Sequence, residues 1–354
     1  MSHFHSVTVT DIKKETEDCV SVELKANHHE DDFSYASGQY LTFSFHMNGE
    51  ELHRSYSLCS APHENTMRIA VKHVEGGRVS GHFNQSVKVG DVLKSMLPGG
   101  NFVLPEKNSA THFVFFAAGS GITPVISLIK TALQSNLKHR ISLFFGNTNE
   151  DTTIFKQELD ELSALHDSFQ VYHLYTNGNA ESPLFSGRIN FGKTTELLYN
   201  FCSDEMPKDF FICGPSDMMI SVKNALIDAN IPEKNIHLEY FAAPVEDSTS
   251  QKETETEVRY EGISNVKVIL DDEEIKFQMN SQGASILNAV LDEGEDAPYS
   301  CRGGVCTTCK AKLLKGKVHM DSNFALTDGD IANGYILTCQ SHPNSSDIEL
   351  SYDE

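Results

Sequence analysis

Cys301, Cys306, Cys309 and Cys339 follow the spacing C-x4-C-x2-C with a fourth cysteine further on. Four thiolates so arranged can converge on two tetrahedral irons, which suits a two-iron, two-sulfur cluster. The first three belong to one tight loop, in which Gly303 and Gly304 can reach φ > 0 and bring backbone N–H groups close to sulfur. Thr307 and Thr308 are small enough to sit between ligands. Two blander readings compete. A zinc knuckle wants two close cysteine pairs, and a disulfide suits a secreted chain, whereas the opening Met1-Ser-His-Phe-His-Ser has no basic and apolar signal pattern.

Other short runs hold residues that suit nucleotides. In Arg54-Ser-Tyr-Ser-Leu58, Arg54 offers a guanidinium fork for phosphate, Tyr56 a ring for a flat heterocycle and Ser57 a hydroxyl for a ring nitrogen. Glu75-Gly-Gly-Arg-Val-Ser-Gly81 reads as a glycine turn before a helix, where amides and Ser80 would meet pyrophosphate. Each run alone is equally an ordinary strand or turn. Gly119-Ser-Gly-Ile-Thr-Pro124 joins a strand to a helix, although proline replaces the last glycine of the usual dinucleotide fingerprint. Cys213-Gly-Pro-Ser-Asp-Met218 repeats that arrangement with a small thiol, and Glu239-Tyr-Phe241 ends a strand on an aromatic ring. Core packing is the alternative for Cys213 and Phe241.

These runs need scaffolds. With 354 residues, the chain is long enough for two or three domains. No apolar run approaches the roughly 18 residues of a membrane span, so the expectation is a soluble, cytoplasmic protein with no membrane contact. The net charge of -22 argues against nucleic acid and favours a partner with a basic face. Alternating runs at Ser6–Thr10, Cys19–Leu24, Tyr40–Phe45 and Met67–Lys72 predict an antiparallel β-barrel over 1–107. Over 108–241, apolar strands at Phe113, Ile141, Phe169, Asp209 and Ile236 alternate with helices at Pro124–Leu137, Thr153–Leu165 and Ser216–Ala229. That pattern is an open α/β parallel sheet, whose ligands sit at the strands' C-terminal ends. Residues 242–262 are polar, acidic and aperiodic, which reads as a linker. Over 263–354, strands at Asn265–Leu270 and Ile275–Met279, the Asp271-Asp272 turn and a helix over Ala284–Glu293 predict an α+β sheet gripping one helix.

The ordered set Arg54-x-Tyr56-Ser57, Gly76-Gly77-x-Val79-Ser80, Gly119-x-Gly121-x-x-Pro124, Cys213-Gly214-Pro215 and Glu239-x-Phe241 resembles the ferredoxin-NADP reductase superfamily. With the cysteine region, which is similar to a plant-type, β-grasp ferredoxin domain, the chain resembles reductase components of multicomponent oxygenases. The opening Phe4-His-Ser-Val, Gly303–Lys312 and Gly334–Gln340 resemble the reductases of phenylacetyl-CoA epoxidases, in phenylacetate catabolism.

The resemblance implies an oxidoreductase. Arg54, Tyr56, Ser57, Gly77, Val79 and Ser80 would hold FAD; Gly119, Gly121, Thr123, Pro124, Cys213, Gly214 and Pro215 would hold the nicotinamide nucleotide. Ser57 and Cys213 would flank hydride transfer, Phe241 would cover the flavin, and the four cysteines would hold [2Fe-2S]. Phe241 departs from the family pattern in preceding a linker instead of ending the chain. NADPH is the implied donor, with NADH as the alternative; Arg188, or a residue after Asn147-Thr148, is the candidate for a 2′-phosphate. The implied acceptor is a di-iron oxygenase subunit. The alternatives are another oxygenase or hydroxylase, of di-iron or Rieske type, and a non-catalytic redox sensor.

Overall fold

The computed structural model describes residues 3–28, 30–178, 182–244 and 259–354. Most of the segment expected as a linker, 242–262, lies outside the described residues. The chain divides into two compact units, one holding Phe4–Pro98 and Phe102–Glu239, the other built mainly from Tyr240–Glu354.

The first unit begins with six antiparallel strands: β1 (His5–Thr16), β2 (Cys19–Ala26), β3 (Tyr40–Met47), β4 (Glu50–Ser57), β5 (Met67–Lys72) and β6 (Val92–Ser95). Their order is β4-β3-β6-β1-β2-β5, and a bridge between Leu58 and Ile69 joins the two outer strands, so the sheet closes as a barrel. Closure satisfies the backbone groups that two open edges would expose. Inward residues such as Val7, Val9, Leu41, Phe43 and Ile69 fill it. Helix α1 (Arg78–Gln85) buries Val79 and Phe83, and Phe83 meets Phe43, Phe45 and Tyr56 edge-on.

The same unit continues as a parallel sheet of β7 (His112–Ala118), β8 (Arg140–Asn147), β9 (Phe169–Tyr175), β10 (Lys208–Cys213) and β11 (Ile236–Glu239), ordered β11-β10-β7-β8-β9. Phe113 through Ala117 are all buried, as a strand covered on both faces requires. Helices α2 (Ile122–Leu133) and α3 (Lys156–Leu165) follow β7 and β8; α4 (Phe191–Phe201) precedes β10, and α5 (Ser216–Asp228) follows it. The sequence reading named no helix at α4. Its apolar stripe is thin, with only Thr194 and Leu197 buried, and its start depends on the Asn190 side chain accepting from the Lys193 amide at 3.0 Å.

A charged cluster ties barrel to parallel sheet. Lys130 on α2, 7% exposed, pairs with Glu64 at 3.0 Å and with Glu158 of α3, while Arg68 on β5 reaches Glu158 at 2.6 Å. Burial works to raise the Glu158 pKa, but Lys130 and Arg68 outweigh it and hold the carboxyl below its usual range. Lys130→Met leaves two carboxylates short of a cation, so it should cost about 3 kcal/mol. The thermal midpoint should then fall by roughly 5–10 °C, a shift that calorimetry would detect.

The second unit holds β12 (Ile263–Leu270), β13 (Glu273–Asn280), β14 (Lys310–Lys315), β15 (Val318–Met320), β16 (Tyr335–Leu337), β17 (Ser341–Pro343) and β18 (Asp347–Ser351). Its main sheet runs β13-β12-β18-β14-β16 and is mixed, with β12 parallel to β18. Helix α6 (Ile286–Asp292), capped by Ser285, buries Ile286, Leu287 and Val290, and a short α7 (Asp328–Ala332) precedes β16. The Asp271-Asp272 turn has φ of 53° and 64°, the double left-handed geometry that matches strand twist in a two-residue hairpin.

Candidate functional site

The parallel sheet reverses its strand order at β7: the chain moves to β8 and β9, then returns to place β10 on the other side. Ligands bind at such a switch point. Here the register pairs Cys213 with Ala117, which sets the Gly119–Pro124 and Cys213–Pro215 loops side by side, although about 90 residues separate them. A Cβ on Gly121 would lie 2.1 Å from the Cys213 carbonyl oxygen, so the two backbones touch. Gly119 serves differently, with φ of 54° and open space around it. Thr123 donates to the Ser120 carbonyl at 3.0 Å, and Pro124 lies in the first turn of α2. Helices α2 and α5 both begin here, presenting free N–H groups and positive dipole ends suited to phosphate.

Beside these loops is a cavity of about 230 Å³, lined among others by Gly119, Asn147, Thr148, Arg188 and Pro215. The structure thus brings Arg188 and Asn147-Thr148 to the glycine loop. It adds two residues the sequence reading missed, Lys72 and Asp217. Asp217 lies 3.5 Å from Arg188, and Lys72, at the end of barrel strand β5, lies 3.4 Å from Asp18. No local pattern marks Lys72, because its place depends on the barrel packing against the other sheet. Asn147 is 8% exposed and its side-chain nitrogen has no partner among the described residues, which fits a polar ligand in this cavity.

Cys213 is fully buried, and burial drives its thiol pKa well above the usual range, so it is a neutral, small neighbour of the crevice. Its register partner is Glu239, the residue of the last motif left without a role. Part of Glu239 reaches solvent, but its carboxyl lies in dense protein and burial pushes its pKa up to about 8. A carboxyl whose pKa is raised on folding loses stability as pH rises from its unfolded value of 4.5 to its folded value of about 8. Glu239→Gln should flatten that slope, with the largest gain in thermal midpoint over wild type above pH 8. A wild-type midpoint constant from pH 5 to pH 8 would refute the assignment. Phe241 stands two residues beyond β11 and is 47% exposed.

On the barrel, Arg54 is exposed on β4 and donates to the His53 carbonyl at 2.7 Å. Tyr56 shares its pleat face, and burial raises the phenol pKa to about 12, so the ring stays neutral. Ser57 falls on the opposite pleat and is 4% exposed. Gly77 precedes α1, and a Cβ there would strike the Ser80 hydroxyl at 2.5 Å. That hydroxyl accepts from the Val74 amide and donates to the Gly77 carbonyl, so Ser80 braces the turn that exposes the first amides of α1.

In the second unit, Cys306, Cys309 and Cys339 are buried and Cys301 is exposed. The Cys301 and Cys306 sulfurs are 3.0 Å apart, and the Gly303 amide points at Cys301 Sγ from 3.4 Å. The Cys306 thiol and nearby amides, Gly303 among them, pull the Cys301 pKa down to about 6 despite burial. Gly304 has φ of 72°, and a Cβ there would lie 2.9 Å from the Ser322 carbonyl. Three cysteines on one loop plus one distant cysteine make a donor set that fits a [2Fe-2S] cluster.

Residues 6–104 match the oxidoreductase FAD-binding domain family, 115–224 the oxidoreductase NAD-binding domain family and 268–344 the 2Fe-2S iron-sulfur cluster binding domain family. The chain is 35% identical over 356 residues to one of the subunits of 1,2-phenylacetyl-CoA epoxidase from Escherichia coli (strain K12), covering 100% of this chain and 99% of that protein. It is 30% identical over 371 residues to the ferredoxin reductase component of 3-ketosteroid-9-alpha-monooxygenase from Mycobacterium tuberculosis, covering 99% and 97%. Among solved structures, phthalate dioxygenase reductase matches with a TM-score of 0.59 and 25% identity over 98% of both chains.

Proposed function

The chain belongs to the family of oxygenase reductase components that join FAD-binding, NAD-binding and [2Fe-2S] domains, and from that premise we propose its donor, its partner and the task of each site residue. It is an oxidoreductase that passes electrons from NAD(P)H through FAD and a [2Fe-2S] cluster to an oxygenase. Bound FAD supplies the step from a two-electron hydride to single electrons, which a two-iron cluster accepts one at a time.

The protein's own part, as we propose it, begins at the barrel. Arg54 and the first amides of α1, held open by Gly77, Val79 and Ser80, bind the FAD pyrophosphate; Tyr56 lies on the flavin ring and Ser57 near its reacting nitrogen. Gly119, Gly121, Thr123 and Pro124, with Gly214 and Pro215, bind the nicotinamide nucleotide, and Cys213 limits how closely its ring approaches. Phe241 covers the flavin face. Cys301, Cys306, Cys309 and Cys339 hold the cluster. The observation that carries this reading is the side-by-side placement of the two glycine loops at the strand reversal.

The donor we propose is NADPH, because Arg188 lines the crevice on a long, 79% exposed side chain whose carboxylate partner lies at the 3.5 Å limit. Steady-state turnover should favour NADPH over NADH, and Arg188→Ala should cut that preference by about tenfold. Equal turnover of both donors by wild type would remove this assignment. The partner we propose is the oxygenase of a phenylacetyl-CoA epoxidase, on the strength of the 35% identity to a component of that enzyme, in the cytoplasm. Reconstitution with the other epoxidase components should consume phenylacetyl-CoA; activity only with another oxygenase would reassign the partner.

A further inference from the structure

Gln340 follows the fourth cluster ligand directly, and its side chain turns back onto the ligand loop. Its Nε2 lies 2.9 Å from the Arg302 carbonyl, 3.1 Å from the Cys339 carbonyl and 3.7 Å from Cys339 Sγ. Its Oε1 accepts from the Ser322 hydroxyl at 2.7 Å. An amide's oxygen and nitrogen are assigned from such surroundings. Were this one flipped, its oxygen would face two carbonyl oxygens and a sulfur with no hydrogen between them. Three acceptors on one side and a hydroxyl on the other therefore fix the orientation.

Ser322 lies between β15 and α7, away from the cysteine loop in sequence. It also walls Gly304, where a Cβ would stand 3.1 Å from Ser322 Oγ and 3.2 Å from Gln340 Cγ. Ser322 and Gln340 thus bracket the loop from Arg302 to Gly304 and tie it to the fourth ligand.

We propose that Gln340, oriented by Ser322, is a positioning residue that donates an N–H to the Cys339 sulfur and so sets the reduction potential of the cluster. The inference rests on the cluster reading above. Reduction adds one negative charge, which spreads onto the cysteine sulfurs; a donor aimed at sulfur stabilises the reduced form and raises the potential.

The test is a redox titration of the anaerobic full-length holoprotein, followed by visible absorption and electron paramagnetic resonance. Gln340→Glu replaces the donor with a charged acceptor of the same length. It should lower the equilibrium constant for cluster reduction about tenfold, a downward shift of about 59 mV for a one-electron couple. Ser322→Ala should shift the potential in the same direction by less, since it removes the orienting hydroxyl and no ligand. Electron–nuclear double resonance after exchange into D2O should show a deuteron coupling that Gln340→Leu lacks. Potentials equal to wild type in variants with full iron and sulfide would overturn the proposal. If the Gln340 variants assemble no cluster, Ser322→Ala decides alone, and an unchanged potential there overturns it equally. Wild-type protein without iron or acid-labile sulfide would instead sink the cluster reading itself.

Discussion

Cys306→Ser should leave NADPH able to bleach the flavin at close to the wild-type rate while cytochrome c reduction through the cluster falls by more than about 100-fold, beyond what losing an outer hydrogen bond costs a metal site. Cys306 is 6% exposed and its sulfur lies 3.0 Å from that of Cys301. Serine fits the same space, so the loop keeps its shape. What changes is the ligand, from a soft thiolate suited to iron–sulfur chemistry to a hard, weakly acidic hydroxyl. Apart from Phe241, the flavin and nucleotide motifs lie in the other compact unit, so hydride entry should survive. Stopped-flow absorbance at the flavin band and steady-state cytochrome c reduction separate the two ends. Full cytochrome c activity in a variant shown to hold no cluster would mean that electrons leave from the flavin, contrary to the relay.

Gly121→Ala should do the reverse. The added methyl would lie 2.1 Å from the Cys213 carbonyl oxygen and 2.9 Å from the Gly214 nitrogen. Both are backbone atoms of the neighbouring strand end and cannot rotate aside, so one loop has to move. Overpacking of this kind costs about 1–3 kcal/mol. Displacing a substrate-positioning loop by about 1 Å can lower kcat/KM on the order of 100-fold. NADPH should therefore reduce the flavin far more slowly, while chemical reduction with dithionite still yields the normal cluster spectrum. At Gly119 an added Cβ meets no protein atom within 4 Å, so Gly119→Ala leaves the contact between the loops intact and its backbone cost is the left-handed φ of 54°, about 1–2 kcal/mol. An alanine at 121 that leaves NADPH kinetics unchanged would show that the contact between the loops does not shape the nucleotide site.

Much of this protein was legible one residue at a time. Three cysteines on one tight loop form a short-range pattern, so their spacing alone pointed to the 2Fe-2S domain that the family match shows. Period-two alternation and the long apolar runs at Phe113 and Phe210 are equally local, and they sorted barrel strands from doubly covered parallel ones. Even the glycine loops were readable as strand-to-helix turns. The reading failed first at α4, where little of the helix is buried and a side-chain cap at Asn190 starts it, so the apolar pattern that betrays other helices is thin.

Tertiary structure decided what meets what. Strand order placed the loop at Gly121 against the one at Cys213, which revealed that Gly121 makes room for the neighbouring backbone. The packing of barrel on parallel sheet carried Lys72 into the cavity beside the glycine loops and joined Arg68 and Glu64 to Lys130 and Glu158, none of which has a sequence signature. Gln340 and Ser322 are ordinary polar residues until the fold sets them across the cysteine loop. The physical reason is one of range: ligand type, propensity and periodicity act over a few residues along the chain, whereas hydrogen bonds, charge pairs and steric walls act over a few ångströms between residues whose proximity is set only when the sheets close and the helices pack on them.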